Sequence, residues 1–170
     1  MDFQKALISE YDREVATTRK MLEAIPADAD YSFKANPKSM SLGRLAGHVA
    51  ETAGEWAFSA LAKDKIEMDM SKPYEPYIPA SKEAMLARFD KETAETKAIL
   101  AGYTPEKWDG NWKFVAGEQT WIDDTKYEVW RIWVMNHLIH HRAQLGVCLR
   151  LIGAKIPGTY GPSADEMPGA

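Results

Sequence analysis

Phe3, Leu7, Tyr11, Val15, Thr18, Met21, Leu22 and Ile25 form a stripe at three- and four-residue intervals with charges between them. That spacing predicts an amphipathic helix over 3–25, ended by Pro26. Residues 27–40 are polar and turn-rich, and Ser39 or Ser41 is placed to cap a second helix running to about Lys63. Its apolar stripe reads Leu42, Leu45, Val49, Ala53, Trp56 and Ala60, with Arg44, Glu51 and Glu55 assigned to the outer face. Residues 64–80 contain Pro73, Pro76 and Pro79 and resist helix, because proline fixes φ and lacks an amide donor. They read as a long connection. Ser81 caps a third helix, 82–101, whose buried face is Met85, Leu86, Phe89, Thr93, Thr96, Ile99 and Leu100; Gly102 and Pro105 close it.

Periodicity disappears between 106 and 124, where Trp112, Phe114, Val115 and Trp121 surround Gly117 and a short hairpin fits. Thr125-Lys126-Tyr127-Glu128 has the form of a capping box and opens the longest periodic segment, which ends at Gly153 before Pro157. The expected fold is therefore all-α: a four-helix bundle with long helix 2–3 and helix 3–4 connections, occupying residues 1–170 as one domain.

Composition changes this picture little but removes whole classes of function. Apolar residues make up 45% of the 170-residue chain and charged residues 27%, so it has the material for a core and not the composition of a disordered protein. A net charge of −4 with no basic block argues against nucleic acid as a partner. No apolar run reaches the length needed to cross a bilayer, and the first residues lack the pattern of a signal peptide, so a cytoplasmic location without membrane attachment is expected. The single cysteine, Cys148, rules out an intrachain disulfide and reads as core filler.

The candidate chemistry lies in four histidines: His48 in the second helix, and His137, His140 and His141 in the last. At 3.6 residues per turn, His137 and His141 stack on one face, the apolar one that also carries Trp130, Trp133, Val134, Leu145, Cys148 and Ile152. Buried imidazoles need partners, and a shared divalent ion supplies them. His48, beside Leu45 and Val49, is placed to point inward and complete a three-histidine set with a coordination position left open. A lone histidine on an apolar face is more often a hydrogen-bonded core residue, and His137 with His140, at i, i+3, remains an alternative pair. His140 itself points about 100° away from His141, towards the side or the surface.

Asn136-His-Leu-Ile-His-His-Arg-Ala-Gln-Leu145, followed by an apolar helix ending in Leu-Arg-Leu-Ile-Gly153 and the tail Tyr160-Gly-Pro-Ser-Ala-Asp-Glu166, resembles the C-terminal signature of the DinB/YfiT-like family. Leu42-Gly-Arg-Leu-Ala-Gly-His48 resembles its second-helix segment. One departure is Ala143, where the family usually has glycine. The family is unrelated to the DNA polymerase that shares the DinB label. The resemblance implies His48, His137 and His141 as ligands to zinc, nickel or another divalent ion. It also implies a bundle that is often a homodimer, and a small-molecule substrate handled by thiol-dependent S-transferase or isomerase chemistry with a low-molecular-weight thiol as cosubstrate.

Two other functions compete. A metal-dependent hydrolase would want a general base, for which Glu51, one turn from His48, is the candidate, against its reading as a solvated helix-face carboxylate. A metal-stabilised, stress-related bundle would need no turnover. Arg142 and Gln144 either line the pocket or bind the tail; Asp123, Asp124 and Glu128 either orient a ligand or favour the helix N-terminus by charge. Trp56, Trp130 and Trp133 read as core, and Tyr160 either covers the site or pins the C-terminus.

Overall fold

The computed structural model describes residues 2–169. Helix α1, Phe3–Glu23, begins where the Asp2 carboxylate accepts from the Lys5 amide at 3.2 Å. Helix α2, 42–62, comprises Leu42–Glu51, a π-helical segment Thr52–Trp56 and Ala57–Ala62. Ser41, not Ser39, is its cap, accepting from the Arg44 amide at 3.3 Å. Helix α3, Lys82–Ala101, is capped by Ser81, and the short α4, Pro105–Trp108, starts with proline, which has no amide to leave unpaired there. Helix α5, 126–151, comprises Lys126–Val129, a π-helical segment Trp130–Asn136 and His137–Leu151, with Thr125 as cap. In the tail, Ser163 and Glu166 close a capping box around one 3₁₀ turn, Ala164–Glu166. None of the described helices is long and apolar enough to cross a membrane.

The all-α expectation is wrong. Strands β1, Lys65–Met68, β2, Asn111–Ala116, and β3, Gln119–Thr125, form a mixed sheet in the order β1-β2-β3. The β2–β3 hairpin turns at Gly117, as the tryptophan-rich segment implied, with a register irregularity between Phe114 and Val115. The connection after α2 is not wholly irregular, because Lys65-Ile66-Glu67-Met68 pairs in parallel with Lys113–Ala116. Four alternating residues are too few to register as a period, and their partner lies beyond α3. With α4 there are five helices among the described residues, so the architecture is a helical layer with a small sheet and not a pure four-helix bundle.

Helix α1 packs on α3 and α5, and α2 packs on α3 and α5, around a core that includes Tyr11, Leu22, Phe89, Trp130 and Leu138. The π segment of α2 is held by side chains from both neighbours. A π turn frees backbone groups from the regular α ladder, and buried groups must find other partners. Here Tyr11 of α1 donates to the Ala53 carbonyl at 2.5 Å, Thr96 of α3 donates to the Gly54 carbonyl at 3.3 Å, and Glu92 of α3 accepts from the Glu55 amide at 3.1 Å. A Cβ on Gly54 would sit 2.4 Å from the Glu92 carboxylate, so only glycine admits that side chain.

The tail is tied to the body by a buried ion pair. Arg142 of α5, 2% exposed, lies 2.7 Å from Glu14 of α1, donates to Thr18 and, at 2.7 Å, to the Tyr160 hydroxyl, which in turn donates to Glu14. Tyr160 therefore pins the C-terminus and does not lie over the histidines, and Arg142 binds the tail. Removing one member of such a pair strands its partner. Arg142→Ala is expected to lower stability by about 3–5 kcal/mol in urea unfolding, whereas the double replacement Glu14→Leu, Arg142→Met recovers most of that loss.

Candidate metal centre

Helices α2 and α5 cross so that His48 faces His137 and His141. One ring nitrogen from each lies within 4.8 Å of the other two, and Nε2 of His48 is 3.1 Å from Nε2 of His137. Ring centroids are 5.0 Å apart for His48 and His137, 4.5 Å for His48 and His141, and 4.6 Å for His137 and His141. Nitrogens held at about 2.0–2.1 Å from one tetrahedral ion stand about 3.3–3.4 Å apart, so the set fits a zinc-sized cation after small ring adjustments. His140 is exposed and stays outside the set, which decides against the His137–His140 pair.

The surroundings keep His137 and His141 neutral. Burial, reinforced by the charges of His141, His48 and His140, pushes the His137 pKa down to about 4. Burial likewise pushes His141 to about 4, against a hydrogen bond donated to Gln144 that favours protonation, with His48, His140 and Arg44 adding to the depression. Neutral rings offer lone pairs at pH 7.

Nδ1 of His141 donates to Oε1 of Gln144 at 2.8 Å, and Nε2 of Gln144 donates to Nε2 of His140 at 3.0 Å. With its proton on Nδ1, His141 leaves Nε2 bare. His48 is set differently. Its Nδ1 stands 3.4 Å from Oε2 of Glu51 and 3.3 Å from Nη2 of Arg44, while Nη1 of Arg44 donates to Glu51 at 2.8 Å. The carboxylate suits a proton on Nδ1 and a bare Nε2; the guanidinium suits the opposite tautomer, in which Nε2–H donates to His137. The Arg44–Glu51 pair thus accommodates His48 both with and without an ion between the rings.

Glu51 is not on a solvated outer face. It is 7% exposed; burial opposes its ionisation, but hydrogen bonds from His48 and Arg44 and the Arg44 charge outweigh this and hold the carboxyl below the ordinary range. Arg44, also placed outside by the sequence pattern, is half-buried because the 64–80 connection returns over it: it donates to the Tyr77 carbonyl at 3.3 Å and the Tyr74 hydroxyl at 3.1 Å. A Cβ on Gly47 would lie 2.6 Å from that Tyr77 carbonyl, so glycine lets the connection lie against the helix next to His48.

The other candidates separate cleanly. Asp123 pairs with Lys113 and Asn111, Asp124 accepts from the Thr125 amide, and the Glu128 amide serves the helix cap; none meets a histidine. Cys148 is buried with its thiol pushed up by burial, as core filler should be. Trp130 is core against Tyr11, but Trp56 and Trp133 are not. Trp56 meets His48 and His137 edge-on at 5.9 and 5.7 Å, and Trp133 meets His137 at 6.3 Å. The signal was present: Trp133 precedes His137 by one helical turn, on the same face.

Residues 1–169 match the model of the DinB family. The chain belongs to the DinB family. YrdA, an uncharacterized protein of Bacillus subtilis strain 168, is 22% identical over 161 residues, covering 94% of this chain and 89% of YrdA. Among solved structures, a DinB-like protein of Bacillus cereus ATCC 10987 superposes with a TM-score of 0.68 at 22% identity, covering 92% of this chain and 97% of that one. The DinB-like protein YjoA of Bacillus subtilis gives 0.66 at 22% identity, over 91% and 97%. At that identity the likeness to these DinB structures carries the fold.

The depressed histidines make the protein acid-sensitive. An unfolded histidine takes its proton near pH 6.5 and these folded ones near 4, so the unfolded state binds more protons between those values. In chelator-treated protein, stability is expected to be full above about pH 6.5 and to fall as pH drops towards 4. Urea titrations at a series of pH values check this, and His137→Phe should flatten the slope.

Proposed function

We propose that this DinB-family chain is a divalent-metal-dependent enzyme that acts on a small molecule by thiol-dependent S-transfer or isomerisation, with His48, His137 and His141 as the ligands of zinc or nickel. The observation that carries the reading is the convergence of three imidazoles from two helices, one nitrogen of each within 4.8 Å of the others. Three histidines with no carboxylate or thiolate among them resemble a catalytic more than a closed structural site, because they leave a coordination position for a reactant. The chemistry a divalent ion supplies there is Lewis acidity, which lowers the pKa of a coordinated thiol enough to ionise it at neutral pH.

The chain's own residues then have defined tasks. With an ion between the rings, Glu51 would accept from Nδ1 of His48, as Gln144 does from Nδ1 of His141, in the tautomers that turn Nε2 inward. The same engagement weakens Glu51 as a general base: it is held by Arg44 and its carboxyl is more acidic than usual. This favours thiol chemistry, in which the ion removes the need for a protein base, over hydrolysis through Glu51. An open groove of about 500 Å³ bordered by Lys38, Met40, His141 and Gln144 gives reactants access. The family resemblance adds a homodimer to this reading.

Protein purified without a metal-affinity tag is expected to hold about one divalent ion by elemental analysis. His141→Ala should lose it, and Glu51→Gln should weaken its affinity by about 10–100-fold in chelator competition. Glutathione, bacillithiol, mycothiol or coenzyme A with a reactive electrophile should give conjugation that stops on chelation. Turnover of esters or amides without any thiol would replace the transferase reading with a hydrolase.

A further inference from the structure

A second cavity lies where the sheet meets the helices. Trp56 of α2, Trp133 and Val134 of α5, Ile66 of β1 and Trp112 and Phe114 of β2 wall a volume of about 160 Å³. Close-packed interiors keep few voids larger than a water molecule, so a cavity this size between stiff indole walls is a feature to explain. Its dimensions suit one ring: an apolar cavity of about 150 Å³ elsewhere stays dry and takes benzene. Its walls suit a neutral aromatic ring, because aromatic faces and edges pair favourably in tilted or offset arrangements. An anion finds no free donor in the Trp112 indole, whose N–H is already given to the Ser59 carbonyl at 3.3 Å. The Glu55 carboxylate at the rim is turned to Arg88 at 2.7 Å.

Two of these walls are shared with the histidines. Trp56, which meets His48 and His137 edge-on, and Trp133, which meets His137, both also line the cavity. We propose that the cavity receives the neutral aromatic ring of the small-molecule substrate, anchoring it so that the reacting atom sits past Trp56 and Trp133 at the histidine centre. This inference rests on the reading of the histidines as a metal centre and adds the class of substrate, an aryl-bearing one.

Toluene and indole are the probes, titrated into zinc-loaded and chelator-treated protein while the methyl groups of Ile66, Ile122, Val129 and Val134 are followed by NMR. Saturable shifts confined to these methyls are expected in both forms, with Leu22 and Leu100 unmoved. Ile66→Trp, at a half-buried position on an edge strand, fills the cavity and should weaken binding by at least about tenfold. Trp133→Ala, at the more exposed wall, should do likewise if the first variant fails to fold. With cobalt in place of zinc, the bound ring's protons should relax faster.

Absence of saturable shifts overturns the proposal, as does stronger binding of tetramethylammonium than of toluene. Cavity binding without relaxation enhancement in cobalt-loaded protein overturns the link to the centre. Ring binding in a protein that holds no metal under any loading condition leaves the cavity assignment standing and removes the metal reading instead.

Discussion

Three polar rings pressed together between two helices are a liability unless something satisfies their nitrogens, and that constraint organises the molecule. An unpaired buried polar group costs about 1–3 kcal/mol, so the crossing of α2 and α5 is tolerable only where each lone pair and each N–H has a destination. Gln144 takes one proton and the Arg44–Glu51 pair takes another, leaving Nε2 of His48 and of His141 turned to the common centre with His137. Burial then keeps two of the rings neutral, the protonation state a cation requires.

The neighbouring backbone is shaped to the same end. Both helices carrying histidines depart from α geometry within one turn of them, in Thr52–Trp56 after His48 and in Trp130–Asn136 before His137. Such π segments recur at functional sites because the extra residue re-aims the side chains on either side. In α2 the loosened backbone groups are taken up by Tyr11, Glu92 and Thr96, so α1 and α3 contribute to the site without reaching it. Gly47 completes the arrangement by letting the Tyr77 carbonyl approach close enough to hold Arg44.

Much of this was legible in the sequence where the signal is local. The caps at Ser81 and Thr125, the hairpin around Gly117 and the face shared by His137 and His141 all follow from spacing within a few residues. The failures came where the decisive partner is distant. β1 is invisible without β2, and Glu51 looks solvent-facing until the 64–80 connection is laid over α2 and Arg44 turns onto it. The π segments leave no mark in hydrophobic periodicity, since one inserted residue shifts the stripe by less than the breadth of the buried face. Trp56 and Trp133 look like core in sequence because the cavity they border exists only once the sheet has closed.

The parallel pairing of β1 with β2 spans the whole of α3, and β2 is the only strand partner of β1 among the described residues. As a four-residue edge strand, β1 is the part of the sheet least tied to the helices. Amide exchange in β1 should therefore outpace that in α2 and α5, marking a wall that opens by local unfolding on its own while the helix crossing stays intact. A pocket with such a yielding side can admit and release its contents without any hinge between the helices.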